Sequence, residues 1–252
     1  MKKILALALA LCMLFCFAGC AKQEEKLVMG TNAAFPPYEY VDDEGNIVGI
    51  DAEIAQAIAD KLGLELEIKD MEFESLVTAC AGGSIDVVLA GMTVTDERKE
   101  EVNFSDSYAT GVQVVIVKND SDIAPTKDDE GNDIVDLTGK TIGVQSGTTG
   151  DSYCTTDYGQ ENVKQYSNGA LAVEALKNGQ VDCVVIDNEP AKNYVAANEG
   201  LKILETEYII EDYAIAIAKE NKELLSNVNA ALADLKAEGK IDQIINKYIP
   251  AE

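Results

Sequence analysis

Two segments in opposite halves of the chain repeat one order of residue types, and this repeat constrains the fold most strongly. The first spans residues 83–89 and the second spans residues 179–186. Each follows an expected helix and reads glycine, one residue, Ile or Val, Asp, and then three or more apolar residues. Unbroken apolar runs of this kind are typical of strands covered on both faces. The repeat predicts two similar α/β lobes, each with a mostly parallel sheet.

Shorter patterns place further elements around the first of these strands. Ile54, Ile58 and Leu62 recur every four residues, which is the spacing of one helix face, and Gly63 follows as a stop signal. The acidic segment 42–46 contains Gly and Asn and lies between two short runs of apolar and aromatic residues. This arrangement predicts a β-hairpin turn.

The amino-terminal residues predict export from the cytoplasm. A positively charged start precedes an apolar run at residues 4–18, and a small residue follows it. The run is shorter than the ~20 residues that a bilayer-spanning helix needs. Residues 17–20, Phe-Ala-Gly-Cys, resemble a lipoprotein box, in which the cysteine becomes the lipid-bearing first residue of the mature chain. We therefore predict a signal peptide at 1–19, lipidation of Cys20 and a tether at 20–26, with a plain secretory signal as the alternative.

Charge and length narrow the classes of function. The 252-residue chain has a formal net charge of −25, and nucleic acid phosphates would repel such a protein. Acidity of this kind serves solubility and does not itself identify a ligand. After removal of a signal, the length suits one large domain or two small ones. We expect no nucleic acid partner.

The sequence gives little support for catalysis or metal binding by histidine or cysteine. The chain has no histidine, so the commonest general base and metal ligand is missing. We assign no catalytic residue, metal site or cofactor. Cys80, Cys154 and Cys183 remain after the expected processing, and we interpret them as small buried side chains. A disulfide between Cys154 and Cys183 stays open, because sequence does not fix its geometry.

Residues 90–99 are the most informative internal segment. They leave the carboxyl end of an expected strand, which is where open α/β sheets bind ligands. Gly91 allows a ligand to approach the backbone closely, and Thr93 supplies a hydroxyl and an amide. The planar guanidinium of Arg98 can donate two parallel hydrogen bonds to a carboxylate. Taken alone, the segment also fits a threonine-capped helix with a solvated first turn.

Seven motifs together resemble those of a family 3 solute-binding protein, the amino-acid-capturing component of an ABC importer. The resemblance extends over residues 27–249. The motifs lie at 30–39, 48–51, 90–99, 104–106, 139–144, 146–148 and 181–187.

The resemblance implies a two-lobed periplasmic-binding-protein type II fold, α/β in class, whose lobes are joined by hinge strands. The first lobe would comprise 27–110 and 211–252, and the second would comprise 111–210. The protein would act as a monomer outside the cytoplasm, anchored to membrane lipid through Cys20. It would close around an amino acid and present the closed form to an ABC permease in the membrane.

The resemblance also implies how the ligand zwitterion is held. Arg98 would pair with the α-carboxylate, together with the amides of Thr93 and Thr149. The ligand ammonium would meet the Gly91 carbonyl, the Thr93 hydroxyl and the Asp187 carboxylate. Each end of the zwitterion would then have a charged partner.

The ligand side chain would meet a second set of residues. Phe35 and Phe73 would enclose its aliphatic part, and Met92 belongs to the predicted ligand-binding set. Asn32 and Gln145 would contribute to selectivity. Relatives that bind basic amino acids often carry an acid at the position of Asn32, whereas both residues here are neutral amides. This favours a polar uncharged ligand such as glutamine or cystine, with a basic ligand as the alternative.

Two other classes of function share this fold. The first is an extracytoplasmic dehydratase acting on prephenate or arogenate, which would need an acid–base group beside the ligand. The second is a ligand-sensing module that presents its closed form to a receptor. We predict a binding protein and not an enzyme.

Overall fold

The computed structural model describes residues 25–127, 133–204 and 209–250. The predicted signal peptide, Cys20 and the tether as far as residue 24 lie outside these ranges. Within the described residues, no helix combines the length and apolar character needed to span a bilayer.

Strands and helices alternate along most of the described chain. The strands are β1 (Lys26–Thr31), β2 (Ala34–Phe35), β3 (Glu39–Val41), β4 (Ile47–Val48), β5 (Glu65–Asp70), β6 (Val87–Val88), β7 (Val102–Phe104), β8 (Ala109–Lys118), β9 (Thr126–Lys127), β10 (Asp133–Ile134), β11 (Ile142–Gln145), β12 (Val163–Tyr166), β13 (Cys183–Asp187), β14 (Leu201–Ile203), β15 (Ile209–Tyr213) and β16 (Ala216–Ala218). The α-helices are α1 (Ile50–Leu62), α2 (Leu76–Ala81), α3 (Asp96–Glu101), α4 (Thr149–Tyr158), α5 (Gly169–Lys177), α6 (Asn188–Ala197), α7 (Lys222–Ala237) and α8 (Lys240–Tyr248). Short 3₁₀ helices lie at Phe73–Ser75 and Gln160–Asn162.

The described strands form two main sheets, one in each lobe. The first sheet has the order β5-β1-β6-β16-β7, and the second has the order β12-β11-β13-β8-β14. In the first sheet β1 pairs in parallel with β5 and β6, and in the second β11 pairs in parallel with β12 and β13. β16 and β8 are each antiparallel to both of their neighbours in these orders. In each of these orders β16 or β8 therefore runs opposite to the other four strands, which share one direction. Each lobe is thus α/β with a mostly parallel sheet, as the sequence repeat predicted.

Two paired strands pass between the lobes. β8 begins at Ala109 and continues into the second sheet, and β15 pairs with it in antiparallel register from Gln113–Ile209 to Ala109–Tyr213. The chain then enters the first sheet as β16. These strands occupy the positions where the resemblance implied a hinge.

The local elements follow from residue types that the sequence displays. Helix α1 buries Ile54 and Ile58 and ends at Gly63, which adopts the left-handed conformation that glycine accommodates without strain. β3 and β4 pair in antiparallel register around residues 42–46, which confirms the hairpin. The helix face packs with Val228 and Leu232 of α7 in the main core cluster.

The carboxyl ends of the parallel strands position the functional segments. Asn32 follows β1, Phe73 follows β5, Gly91 follows β6, and Gln145 and Asp187 end β11 and β13. Since the parallel strands of a sheet end on the same edge, each sheet gathers its loops at one side. The two edges face one another across an interlobe cavity.

Candidate functional site

The interlobe cavity brings together nine of the ten residues in the predicted ligand-binding set. It contains about 310 Å³ of space between atoms, including space that is open to solvent. Residues from both lobes line it. They are Asn32, Phe35, Glu39, Phe73, Ala90, Gly91, Thr93, Arg98, Gln145, Thr148, Thr149 and Asp187.

Arg98 is the single arginine of the chain, and backbone carbonyls hold it in place. Its Nη1 donates to the Thr93 carbonyl at 2.7 Å, and its Nη2 donates to the Gly147 carbonyl of the other lobe at 3.1 Å. The guanidinium carbon lies 5.3 Å from the centre of the Phe73 ring. No carboxylate of the described residues forms an ion pair with it. Burial lowers the pKa of Arg98, while the charges of Glu211 and Asp187 act in the opposite direction.

Asp187 ends β13 and is buried at the cavity. Its Oδ2 accepts from Gln113 Nε2 at 3.0 Å, and its Oδ1 accepts from the Tyr213 hydroxyl. Burial raises the pKa of Asp187 to about 7, and the neighbouring Glu211 contributes to the increase. Without a cation beside it, this carboxyl therefore carries a proton through the mildly acidic range, and a ligand ammonium would favour its ionised form.

Glu211 on β15 orients the Thr93 hydroxyl. Its Oε2 accepts from Thr93 Oγ1 at 3.2 Å and from Gln113 Nε2 at 2.9 Å. Its Oε1 accepts from the Tyr153 hydroxyl of α4 at 3.1 Å. Because the Thr93 hydroxyl donates to Glu211, its lone pairs remain free to accept from a ligand. Sequence reasoning missed Glu211, Gln113 and Tyr153, which lie far apart along the chain.

Asn32 and Gln145 form an amide pair across the two lobes. Gln145 Nε2 donates to Asn32 Oδ1 at 2.9 Å, and Asn32 Nδ2 donates to the Met71 carbonyl at 2.9 Å. Both side chains are buried. The pair offers both donors and acceptors to a polar ligand side chain.

Phe35 and Phe73 supply apolar walls, and each side chain is 8% exposed. A methyl group at Gly91, where φ is +52°, would lie 2.8 Å from a Phe35 ring carbon. Position 91 therefore requires glycine for both its backbone conformation and its contact with Phe35.

Helix α4 begins at Thr149, whose amide belongs to the unpaired first turn. Thr148 is the N-cap residue, and its hydroxyl accepts from the Asp151 amide at 3.2 Å. The start of α4 therefore lies at the cavity on the side of the second lobe. Arg98 reaches the same cavity from the first lobe.

Met92 is the predicted site residue that the structure does not bring into the cavity. Its side chain is fully buried in the core cluster that contains Leu76 and Val88, and its carbonyl accepts from the Ala214 amide. A strand-like segment alternates its side chains between two faces, so Gly91 and Thr93 face the ligand side while Met92 faces the core.

Glu39 lines the cavity although the predicted set omitted it. Its side chain is 1% exposed, and burial raises its pKa well above the usual range. The sequence does contain a signal, since an acid directly follows the aromatic Tyr38 in a motif that the family resemblance used. Ala90 and Thr148 are the other lining residues outside the predicted set.

A second set of contacts joins the lobes at the rim of the cavity. Ser146 Oγ donates to Glu74 Oε2 at 2.5 Å. A methyl group placed on Gly147 would lie 2.8 Å from Glu74 Cβ and 3.0 Å from Glu74 Cα. The loop of Ser146 and Gly147 therefore packs directly against Glu74, and we call these three residues the rim clasp.

The remaining titratable groups of the described residues do not form a metal centre. In the part of the chain that the structure describes, no group of three or more His, Cys, Asp or Glu side chains is arranged to hold a metal ion. Cys80, Cys154 and Cys183 are buried free thiols.

The chain is similar to known proteins over most of its length. The model of the family described as bacterial extracellular solute-binding proteins, family 3, matches residues 27–251. The arginine-binding extracellular protein ArtP of Bacillus subtilis (strain 168) is 34% identical over 264 residues, covering 100% of each chain.

Solved structures extend the likeness to three dimensions. A mutant of ArgBP from T. maritima is 41% identical with a TM-score of 0.82, covering 90% of this chain and 96% of that one. An ancestral arginine-binding protein bound to glutamine is also 41% identical with a TM-score of 0.82, covering 91% and 100% respectively. Both lobes are therefore included in the similarity.

Proposed function

The chain belongs to the bacterial extracellular solute-binding proteins of family 3, and we propose that it delivers a polar amino acid to an ABC importer. The family and the two-lobed α/β fold predicted from the sequence are both confirmed. Proteins of this family bind amino acids outside the cytoplasm for ABC transporters, and the chain is a binding protein rather than an enzyme. The dehydratase alternative therefore receives no support.

The observation that carries the proposal is the pair of opposite charges at the cavity. Arg98 of the first lobe lacks a carboxylate partner among the described residues, and Asp187 of the second lobe lacks a cation. An α-amino acid carries a carboxylate and an ammonium on one carbon, so it satisfies both groups together. We propose that Thr93, Thr149 and the Gly91 carbonyl complete this recognition.

We further propose that the ligand stabilises the closed arrangement of the two lobes. Its zwitterion would touch Arg98 and Asp187 together only when the lobes meet, so it favours that form by its extra contacts. The hinge would be the β8–β15 pair, with lobes at 27–110 plus 211–252 and at 111–210. The closed form would then be the shape that the permease recognises.

For the side chain we propose a polar ligand, with glutamine or cystine favoured by the neutral amides of Asn32 and Gln145. Those amides also suit a guanidinium, because they contain acceptor oxygens. Relatives named for arginine, and an arginine-binding protein bound to glutamine, are consistent with a site for nitrogen-bearing side chains. We also propose that Cys20 anchors the monomeric protein to membrane lipid.

A thermal-shift screen tests the proposal directly. The purified mature chain would be melted with each of the twenty common amino acids and with cystine, ornithine and citrulline. A ligand at one hundred times its Kd adds about 2.7 kcal/mol to the free energy of unfolding. We expect a clear increase in Tm for a few polar L-amino acids. No increase with any of them at millimolar concentration would contradict amino-acid binding.

Uptake measurements separate transport from sensing. Cells that lack the protein should lose uptake of the amino acid identified in the screen. Normal uptake combined with a lost response to that amino acid would instead support the sensing alternative.

A further inference from the structure

A hydrogen bond outside the ligand cavity joins the two lobes. The Tyr194 hydroxyl of helix α6 in the second lobe donates to the Ala34 carbonyl of β2 in the first lobe at 2.5 Å. Neither residue is among those that line the interlobe cavity. The bond therefore connects the lobes without occupying a group that recognises the ligand.

Tyr194 is held in position by its own lobe. The residue is 8% exposed, and a methyl group placed on Gly169 would lie 3.0 Å from a carbon of its ring. Burial, with a contribution from the charge of Glu39, raises the pKa of Tyr194, so the hydroxyl keeps the proton that it donates. The close contact with Gly169, at the start of α5, fixes the ring while the hydroxyl reaches the first lobe.

Both partners of this bond are connected to residues at the cavity. Helix α6 begins directly after Asp187, and Tyr194 lies about two helical turns further along. In the first lobe Ala34 directly precedes Phe35, which lines the cavity. Because a helix moves as a rigid element, a movement of Asp187 relative to Phe35 also changes the distance between the Tyr194 hydroxyl and the Ala34 carbonyl.

The rim clasp does not separate closure from recognition in this way. Its Gly147 also supplies the carbonyl that holds Arg98. A change in the clasp therefore alters the contact between the lobes and the partner of the ligand carboxylate together. Tyr194 is a residue at which the contact between the lobes can be changed alone.

A bond between the lobes affects affinity differently from a contact with the ligand. If the bond forms only when the lobes meet, it stabilises the closed arrangement equally for every enclosed amino acid. A side chain that contacts the ligand instead changes the affinities for different amino acids by different factors.

We propose that Tyr194 is a positioning residue that latches the closed arrangement through Ala34 and raises the affinity for every amino acid by one common factor. The latch forms after the ligand has reached Arg98 and Asp187, and it breaks before the ligand leaves. The hydroxyl therefore slows dissociation and has little effect on association. This inference rests on the proposed function and adds a residue that sets affinity without setting selectivity.

The variant Tyr194→Phe tests the latch, because it removes the hydroxyl and keeps the ring. Titration calorimetry would give the affinities for L-arginine and L-glutamine, and rapid filtration of the radiolabelled amino acids would give their dissociation rates. We expect both affinities to fall at least about threefold, the effect of losing one neutral hydrogen bond, with their ratio constant within about threefold. Each dissociation rate should rise by the same factor as its affinity falls.

Tyr158→Phe is the matched control. The Tyr158 hydroxyl also donates to a backbone carbonyl, that of Val135 at 3.4 Å, but both residues belong to the second lobe. This variant loses a similar bond within one lobe, so both affinities should stay within about twofold. The ligand-free Tyr194→Phe protein should melt within about 2 °C of the unmodified protein, because the latch does not hold either lobe together internally.

The other outcomes overturn either the latch or the proposed function. A loss of affinity below about threefold, or losses that differ more than about threefold between the two amino acids, would overturn the latch. So would an equal loss in Tyr158→Phe, or a loss that comes from slower association alone. A lower Tm of ligand-free Tyr194→Phe, or a melt that is not cooperative, would make Tyr194 a structural residue. If only one of the two amino acids binds, its affinity loss and dissociation rate decide. Failure of all twenty common amino acids to bind the unmodified protein would instead refute the proposed function.

Discussion

At the scale of single residues, the cavity holds charged groups in place with neutral partners. Carbonyl oxygens fix the Arg98 guanidinium, and Gln113 and Tyr213 fix the Asp187 carboxyl. A neutral partner orients a charge without cancelling it, so each group keeps its attraction for a ligand of opposite charge. The cost is that buried charges are incompletely balanced in the empty protein.

Replacement of Arg98 by Ala should abolish measurable amino-acid binding. Loss of one partner of a buried charge pair costs about 3–5 kcal/mol, whereas micromolar binding amounts to only about 8 kcal/mol. Calorimetry measures the affinity, and circular dichroism should show an unchanged fold. Arg98→Lys keeps the charge but not the planar fork, so it should retain weak binding. Near-normal affinity in Arg98→Ala would refute the assignment.

Asp187→Asn provides a comparison on the other side of the zwitterion. Its amide oxygen can still accept from an ammonium, so this variant should weaken binding less than Arg98→Ala. The reverse ranking would contradict the proposed division of roles.

At the scale of elements, loops supply several of the hydrogen bonds that join the two lobes. The rim clasp joins the 3₁₀ helix Phe73–Ser75 to the loop after β11, and the amide pair joins the loop after β1 to the end of β11. Gly147 also supplies the carbonyl that holds Arg98. The contact between the lobes and the orientation of the arginine therefore depend on the same loop.

Gly147→Ala should weaken amino-acid binding at least tenfold, because the added methyl group would meet Glu74 in the arrangement that we propose the ligand stabilises. Gly139→Ala is the matched control, since Gly139 has φ +73° against +74° for Gly147 and a methyl group there meets nothing within 4 Å. Both variants bear the same backbone strain. Calorimetry and thermal melts of the ligand-free proteins would separate the two effects. Equal affinities in the two variants would exclude the clasp from closure.

At the scale of the whole molecule, the buried acids and the negative net charge both lower the stability of the protein as pH rises. Burial raises the pKa of Glu39, Asp51 and Asp187, and the chain carries a formal charge of −25. Unfolded carboxyls titrate near 4, so between about pH 4 and 7 the native protein binds more protons than the unfolded chain. Its stability must therefore fall as pH rises through this window.

The ligand-free protein should consequently be more stable at pH 5 than at pH 8, by at least about 1 kcal/mol. Denaturant unfolding at the two pH values measures this directly. Exposed ion pairs such as Lys140–Asp122 contribute little to the difference. Greater stability at pH 8 would show that the buried carboxyls are ionised without penalty.

Prediction from sequence succeeded where the pattern is local. Helix α1 was predicted with its buried face and its Gly63 end, and so was the hairpin around residues 42–46. It failed for Met92, because alternation within one short segment turns that side chain to the core. It also omitted Glu39, although this acid lies within the motif at 30–39, because its burial is decided by the packing around it.

The sequence by itself determined the two α/β lobes, the family and a set of candidate residues, because periodicity and ordered motifs are properties of the chain. Only the tertiary structure placed Glu211, Gln113 and Tyr153 around Thr93 and Asp187, and paired Glu39 with Asp51. Those contacts join residues from different elements and both lobes, and their chemistry depends on burial. Burial is a property of the packed molecule, so no stretch of sequence contains it.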